Sequence, residues 1–95
     1  MDIRDKFKAR IQYSIRESYE IGYSPIRFES MIQERHPVEV AKTLVLSGEI
    51  QTGVRELKRL NRLDLTIESL MCLPEFKVLF TSDELTAAKW RLKEA

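Results

Sequence analysis

One apolar stripe at helical spacing most constrains how this chain can fold. Ile3, Phe7, Ile11, Ile15 and Tyr19 recur at every fourth position, the spacing at which residues share one face of an α-helix. The sequence shows no sustained two-residue alternation and no Asn-Gly or Asp-Gly hairpin turn, so the patterns that indicate β-strands are missing. The stripe therefore predicts a long amphipathic helix over residues 1–21, the longest element of an all-α protein.

Capping residues, glycine and proline divide the rest of the chain into shorter helices. Asp2 can cap the start of the first helix, and Gly22 is placed to end it in the left-handed conformation. Ser24 followed by Pro25 is typical of an N-cap and the first helical residue. Thr81 and Glu84 have the spacing of a capping box, which predicts the start of the last helix.

The same signals predict a compact single domain, residues 1–95, in which residues 22–95 add four or five helices to the first. Phe28 marks the buried edge of the second helix, and Tyr19 and Tyr23 are expected in the core beside it. Ser14 and Ser18 lie in the stripe of the first helix and allow another backbone to approach closely. The remaining expected boundaries are helix ends near Arg35, Gly48, Pro74 and Lys93, helix starts at Pro37 and Thr52, and a short helix starting at Asp64 or Thr66.

Composition excludes several classes of function. The chain has 95 residues, of which 43% are hydrophobic and 33% charged, and a formal net charge of +1. It is therefore too apolar for a disordered chain, too charged for a membrane protein and too neutral for a general polyanion binder. One cysteine excludes an internal disulfide, and one histidine excludes most metal cages and catalytic triads. We expect a cytoplasmic protein without cofactor, metal or small-molecule substrate.

Three motifs resemble a family of small all-helical bacterial proteins that has no established activity. They are GYSPIRF at 22–28, RLDLTIE at 62–68 and LFTSDE at 79–84, and the resemblance extends over residues 22–92. It implies a shared helical fold, in a protein of bacterial or mobile-element origin, but no reaction. This chain departs from the family's pattern in two places. It has ERHP at 34–37 in place of a glycine-rich turn, and Trp90 where arginine is usual.

The candidate catalytic residues have simpler structural interpretations. Asp64 and Glu68 are four residues apart, as paired carboxylates of an acid–base site would be, but Asp64 is also a natural cap or ion partner of Arg62. His36 is expected at the end of the second helix, where the helix dipole favours it. Cys72 lies among apolar residues, where a thiol is usually inert. The sequence therefore predicts that the protein is not an enzyme.

A basic stripe on the fourth predicted helix suggests nucleic-acid binding as an alternative. Arg55, Lys58, Arg59 and Arg62 stand at offsets of zero, three, four and seven, and only Glu56 opposes them locally. A helix–turn–helix arrangement with the preceding helix needs a turn of about three or four residues, and the connection here is longer. We therefore favour a solvated face for this stripe.

Aromatic residues off the apolar stripes indicate a protein interface. On the last predicted helix Trp90, with Arg91 beside it, lies away from the face that carries Ala88, and Tyr13 lies opposite the stripe of the first helix. Tryptophan is enriched at interface hot spots. The sequence predicts a small non-enzymatic interaction module that binds a protein partner or forms a homo-oligomer.

Overall fold

Six α-helices make up the regular structure of a computed structural model that describes residues 2–47 and 52–95, with Thr52 described by its backbone alone. Two short 3₁₀ turns, Leu63–Leu65 and Lys77–Leu79, flank the fifth helix. The all-α prediction and the N-terminal position of the longest helix are confirmed. The helices are α1 Ile3–Glu20, α2 Ile26–Glu34, α3 Pro37–Val45, α4 Thr52–Arg59, α5 Ile67–Met71 and α6 Ser82–Glu94.

The ends of α1 follow the sequence signals. The Asp2 carboxylate accepts the backbone N–H of Arg4 at 2.9 Å, which satisfies one of the amides that a helix start leaves without a partner. At the other end Gly22 has a φ of +94°, a value that side-chain-bearing residues rarely adopt. The backbone N–H of Tyr23 then donates to the carbonyl of Ser18 at 2.9 Å, so the chain turns sharply into α2.

The core lies where α1 meets α3, α5 and α6. The Phe7 ring is fully buried and makes edge-to-face contacts with Phe76 at 5.2 Å and Phe80 at 5.4 Å between ring centres. The segment 75–80 therefore packs its aromatic rings onto α1. The buried apolar residues of this core are Phe7, Ile11, Ile15, Val38, Ala41, Val45, Ile67, Leu70, Met71, Phe76, Phe80 and Ala88.

The small residues in the stripe of α1 allow a close backbone approach, as the sequence predicts. Ser14 is buried, and its hydroxyl donates to the backbone carbonyl of Leu65 in the first 3₁₀ turn. The buried Ser18 hydroxyl donates to the carbonyl of Ser14 at 2.9 Å. A larger side chain at position 14 would remove the hydrogen bond that joins α1 to the segment that leads into α5.

Capping predictions for α5 and α6 are confirmed. Thr66 accepts the backbone N–H of Ser69 through its hydroxyl oxygen at 3.1 Å. In the capping box, the Glu84 N–H donates to the Thr81 hydroxyl at 3.1 Å and the Thr81 N–H donates to the Glu84 carboxylate at 2.8 Å. The same carboxylate lies 3.7 Å from the Lys42 ammonium group, so the cap also ties α6 to α3.

Several local expectations are wrong. The helix α2 begins at Ile26, with Pro25 at the cap position and no side-chain hydrogen bond there, so Ser24 does not cap it. Tyr19 is 42% exposed and donates to Glu29 at 2.7 Å, and it therefore lies at the surface. The helix α5 ends at Met71, before Pro74. The predicted end of the third helix at Gly48 lies outside the described residues.

His36 also differs from its expected role. Its Nδ1 atom accepts the backbone N–H of Val38 at 3.2 Å, so the side chain caps the start of α3 instead of interacting with the end of α2. Proline at the following position explains this, because it forces His36 into the extended conformation of an N-cap. Burial lowers the pKa of the His36 imidazole, and the charges of Arg4 and Lys8 lower it further.

Candidate functional site

A buried ion pair fixes the orientation of α6 against α5. The Arg91 Nε atom donates to the Glu68 carboxylate at 2.9 Å, and the two side chains are 0% and 2% exposed. Arg91 was expected beside Trp90 on an interface, and that expectation is wrong because Arg91 lies in the core. It stands three residues after Ala88, which is also fully buried, so both lie on the inner face of the helix.

The buried pair places Trp90 on the outside. Successive side chains of an α-helix are about 100° apart, so a helix that buries Arg91 presents residue 90 at its outer face. Trp90 is 47% exposed, and the residues one turn before and after it, Thr86 and Lys93, are exposed and polar. We call this the Trp90 face: Asp83, Thr86, Trp90 and Lys93.

Tyr13 lies on a different element and is 42% exposed. Its hydroxyl donates to the carboxylate of Glu17, one turn along α1, at 3.2 Å. The Arg10 guanidinium group lies 5.6 Å from the centre of its ring, within the range of a cation–π interaction. Among the described residues no ring contact or hydrogen bond joins Tyr13 to Trp90, so the structure does not bring these two candidate interface residues together.

Carboxylates neutralise half of the basic stripe. Arg59 donates two hydrogen bonds to Glu56 at 2.8 and 3.2 Å. Arg62 donates two to Asp64 at 3.1 and 3.3 Å, and hydrogen bonding to Asp64 is the main cause that raises the pKa of the Arg62 guanidinium group. The Glu17 carboxylate also lies near Arg62, with 4.0 Å between its Oε1 atom and the Arg62 Nη2 atom. Both arginines therefore carry their charge next to an opposite one.

Arg62 lies beyond the end of α4 at Arg59, so the prediction that all four cations share one helix is wrong. The other two cations of the stripe are Arg55 and Lys58. Both are exposed, and within residues 2–47 and 52–95 neither forms an ion pair. Two such charges attract nucleic acid only weakly, because the affinity of a protein for nucleic acid grows with the number of phosphates that the protein neutralises.

The candidate catalytic groups do not converge. Asp64 is exposed whereas Glu68 is buried against Arg91, so the two carboxylates face different surroundings. Burial raises the pKa of the Cys72 thiol, which therefore lacks the thiolate character of a nucleophile. In the described parts of the chain no three histidine, cysteine or acidic side chains form a group that could hold a metal ion.

A cavity of about 330 Å³ opens between the first five helices, α1 to α5. Its apolar walls include Phe28, Met31, Leu57 and Ile67. Its polar lining comprises Ser14, Ser18, Tyr23, Arg27, Thr66 and Glu68. Sequence analysis did not identify this cavity. The two serines in the apolar stripe of α1 were the only sequence feature that pointed to it, because its walls come from five helices whose packing the local pattern does not specify.

Comparisons with known proteins add no relative. No family model, curated protein or solved structure matches the chain. The family resemblance of residues 22–92 therefore remains a prediction. Among the described residues no helix is both long enough and apolar enough to cross a membrane.

Proposed function

We propose that the protein is a non-enzymatic binding module that docks to a protein partner, or to a second copy of itself, through the Trp90 face. The observation that carries the proposal is an exposed tryptophan held on a rigid helix. The capping box fixes the start of α6, and the buried pair of Arg91 and Glu68 fixes its rotation. Because a tryptophan side chain has only two torsion angles to fix, it binds with little loss of side-chain entropy.

The surroundings of Trp90 have the composition of an interface. A large aromatic residue stands among exposed polar residues, Asp83, Thr86 and Lys93. Interfaces of this kind have an apolar centre and a polar rim that excludes water from the central contact. Neither charge sign dominates the rim, so the proposed partner contributes an apolar pocket for the indole ring instead of a strongly charged surface.

The experiment compares Trp90→Ala with Thr86→Ala, a matched exposed position one turn earlier on the same face. Sedimentation velocity measures self-association, and quantitative affinity capture from extracts of the producing cells measures partner binding. Because hot-spot residues contribute at least about 2 kcal/mol, Trp90→Ala is expected to weaken binding about 30-fold. Thr86→Ala is expected to weaken it only slightly.

Circular dichroism and urea unfolding show whether the variants keep their fold. An exposed substitution is expected to change the free energy of unfolding by no more than about 0.5 kcal/mol. Should folded Trp90→Ala bind the same proteins as strongly as the unmodified protein does, or should neither protein associate at all, the proposal is wrong.

A further inference from the structure

We propose that the cavity between the first five helices, α1 to α5, binds a small carboxylic acid with an apolar body and a hydroxyl group at its far end. This site is separate from the Trp90 face and does not depend on it. The proposal rests on three features of the cavity: its volume and walls, the hydrogen-bonding state of its interior, and the charge at its opening.

The volume and the walls define the size and polarity of the ligand. A space of about 330 Å³ is at the lower end of the range for small-molecule sites and holds about ten groups the size of a water molecule. Side chains from several helices, among them Ile15, Met31, Leu44, Val54 and Leu65, make most of its wall apolar. A flat aromatic ring or a short alkyl chain suits such a space.

Apart from the Tyr23 hydroxyl group, which can donate a hydrogen bond, the polar groups that line the interior of the cavity are acceptors. The hydroxyl protons of Ser14, Ser18 and Thr66 are already donated to backbone carbonyl oxygens, which leaves only oxygen lone pairs towards the cavity. Glu68 adds a buried carboxylate, whose charge Arg91 balances. A ligand that enters this region therefore meets mainly acceptors. A neutral hydroxyl group fits, because it can donate to one of these acceptors and accept from Tyr23 without adding an unbalanced charge.

The opening is positive. Arg27 lines the cavity and is exposed, and among the described residues it forms no ion pair. It is the second residue of α2, whose start has no side-chain cap. The partial positive charge of a helix start adds to that of the guanidinium group. Arginine pairs well with carboxylates through two parallel hydrogen bonds, so an anionic group is expected here.

The test measures binding of three probes by calorimetry and by shifts of the backbone amide signals in nuclear magnetic resonance spectra. The probes are 3-(4-hydroxyphenyl)propionate, its primary amide, and 3-phenylpropionate, which lacks the hydroxyl group. We expect the first probe to bind saturably and to shift the signals of Val54 and Leu57 in the wall. The amide is expected to bind at least about tenfold more weakly, because it loses a charge-assisted hydrogen bond, and 3-phenylpropionate is expected to bind more weakly too.

Variants locate the site. Arg27→Gln is expected to weaken binding of the acid at least about tenfold, whereas the matched control Arg35→Gln, at the other end of α2, leaves it unchanged. Met31→Trp fills the cavity from its half-buried edge and is expected to abolish binding. Because Trp90 lies outside the cavity, Trp90→Ala is expected to bind the acid normally, so the two proposals fail independently.

Four results would overturn the inference. They are the absence of saturable shifts at millimolar probe, equal affinity for the acid and its amide, equal affinity for the probes with and without the hydroxyl group, and equal effects of Arg27→Gln and Arg35→Gln. The binding result of Met31→Trp is interpreted only if urea unfolding shows that this variant is folded. If the variant is unfolded, the comparison of Arg27→Gln with Arg35→Gln tests the location of the site.

Discussion

Removing one partner of the buried ion pair is expected to destabilise the protein far more than removing both. Glu68→Leu leaves the Arg91 guanidinium group buried without its carboxylate, and Arg91→Met leaves the Glu68 carboxylate without its cation. The double variant replaces both charged side chains with apolar ones of similar size. Because the desolvation cost of the charges then disappears together with their attraction, most of the stability is expected to return.

The magnitude follows from the burial. The two side chains are 0% and 2% exposed, with the Nε and Oε2 atoms 2.9 Å apart. Breaking a pair buried to this extent costs about 3–5 kcal/mol. A domain of this size has a total unfolding free energy of about 5–15 kcal/mol, so each single variant is expected to lose a large share of it. The double variant is expected to lie within about 2 kcal/mol of the unmodified protein or above it.

Urea unfolding of the four proteins gives the coupling energy of the double-mutant cycle. The matched control is the pair Arg59 and Glu56, whose Nη2 and Oε2 atoms are 2.8 Å apart but whose side chains are 66% and 38% exposed. Its coupling is expected to be about 0.3–0.5 kcal/mol. If the buried pair couples no more strongly than this exposed pair, or if its single-variant losses simply add, then the pair does not set the position of α6.

Three further predictions concern single features. The pKa of His36 is lowered in the folded protein, so the unfolded state binds the proton more readily, and stability is expected to fall as the pH drops below about 6.5. Thermal melts at several pH values measure this effect. The pH dependence should be weaker in His36→Asn, which keeps an N-cap side chain. Thr81→Ala is expected to cost about 1 kcal/mol in urea unfolding, and Ser82→Ala much less. For duplex DNA, we expect a plot of log affinity against log salt concentration to have a slope no steeper than about −2, because among the described residues only two cations of the stripe have no carboxylate beside them. A slope near −4 that becomes less steep in an Arg55→Gln/Lys58→Gln variant would favour the nucleic-acid alternative.

Local signals predicted local structure well. The Asp2 cap, the left-handed Gly22 and the capping box that starts at Thr81 all depend on residues within four positions of one another. Such interactions join residues that are close in the sequence, so they can be predicted without knowledge of the tertiary packing. The apolar stripe of α1 likewise predicted which side of that helix is buried.

The features that position the candidate sites join residues far apart in the sequence. The partners Glu68 and Arg91 are 23 positions apart, and nothing in the neighbourhood of Arg91 distinguishes it from a surface arginine. Its burial depends on how α6 packs against α5. The same reason explains the missed cavity, whose walls come from five helices. His36 was misjudged for a different reason: it was assigned to the end of the second helix, although the helix start predicted at Pro37 makes the residue before it the N-cap of the third.

The most direct test of the Trp90 face is photo-crosslinking inside the producing cells. The photoreactive amino acid p-benzoylphenylalanine replaces Trp90 in one variant and Val78, which is 79% exposed, in a control. An aromatic ketone at position 90 keeps the size and apolar character of the indole ring. The account predicts one discrete crosslinked protein, or a crosslinked dimer, from position 90 and none from position 78. No crosslink from position 90, or the same products from both positions, would contradict it.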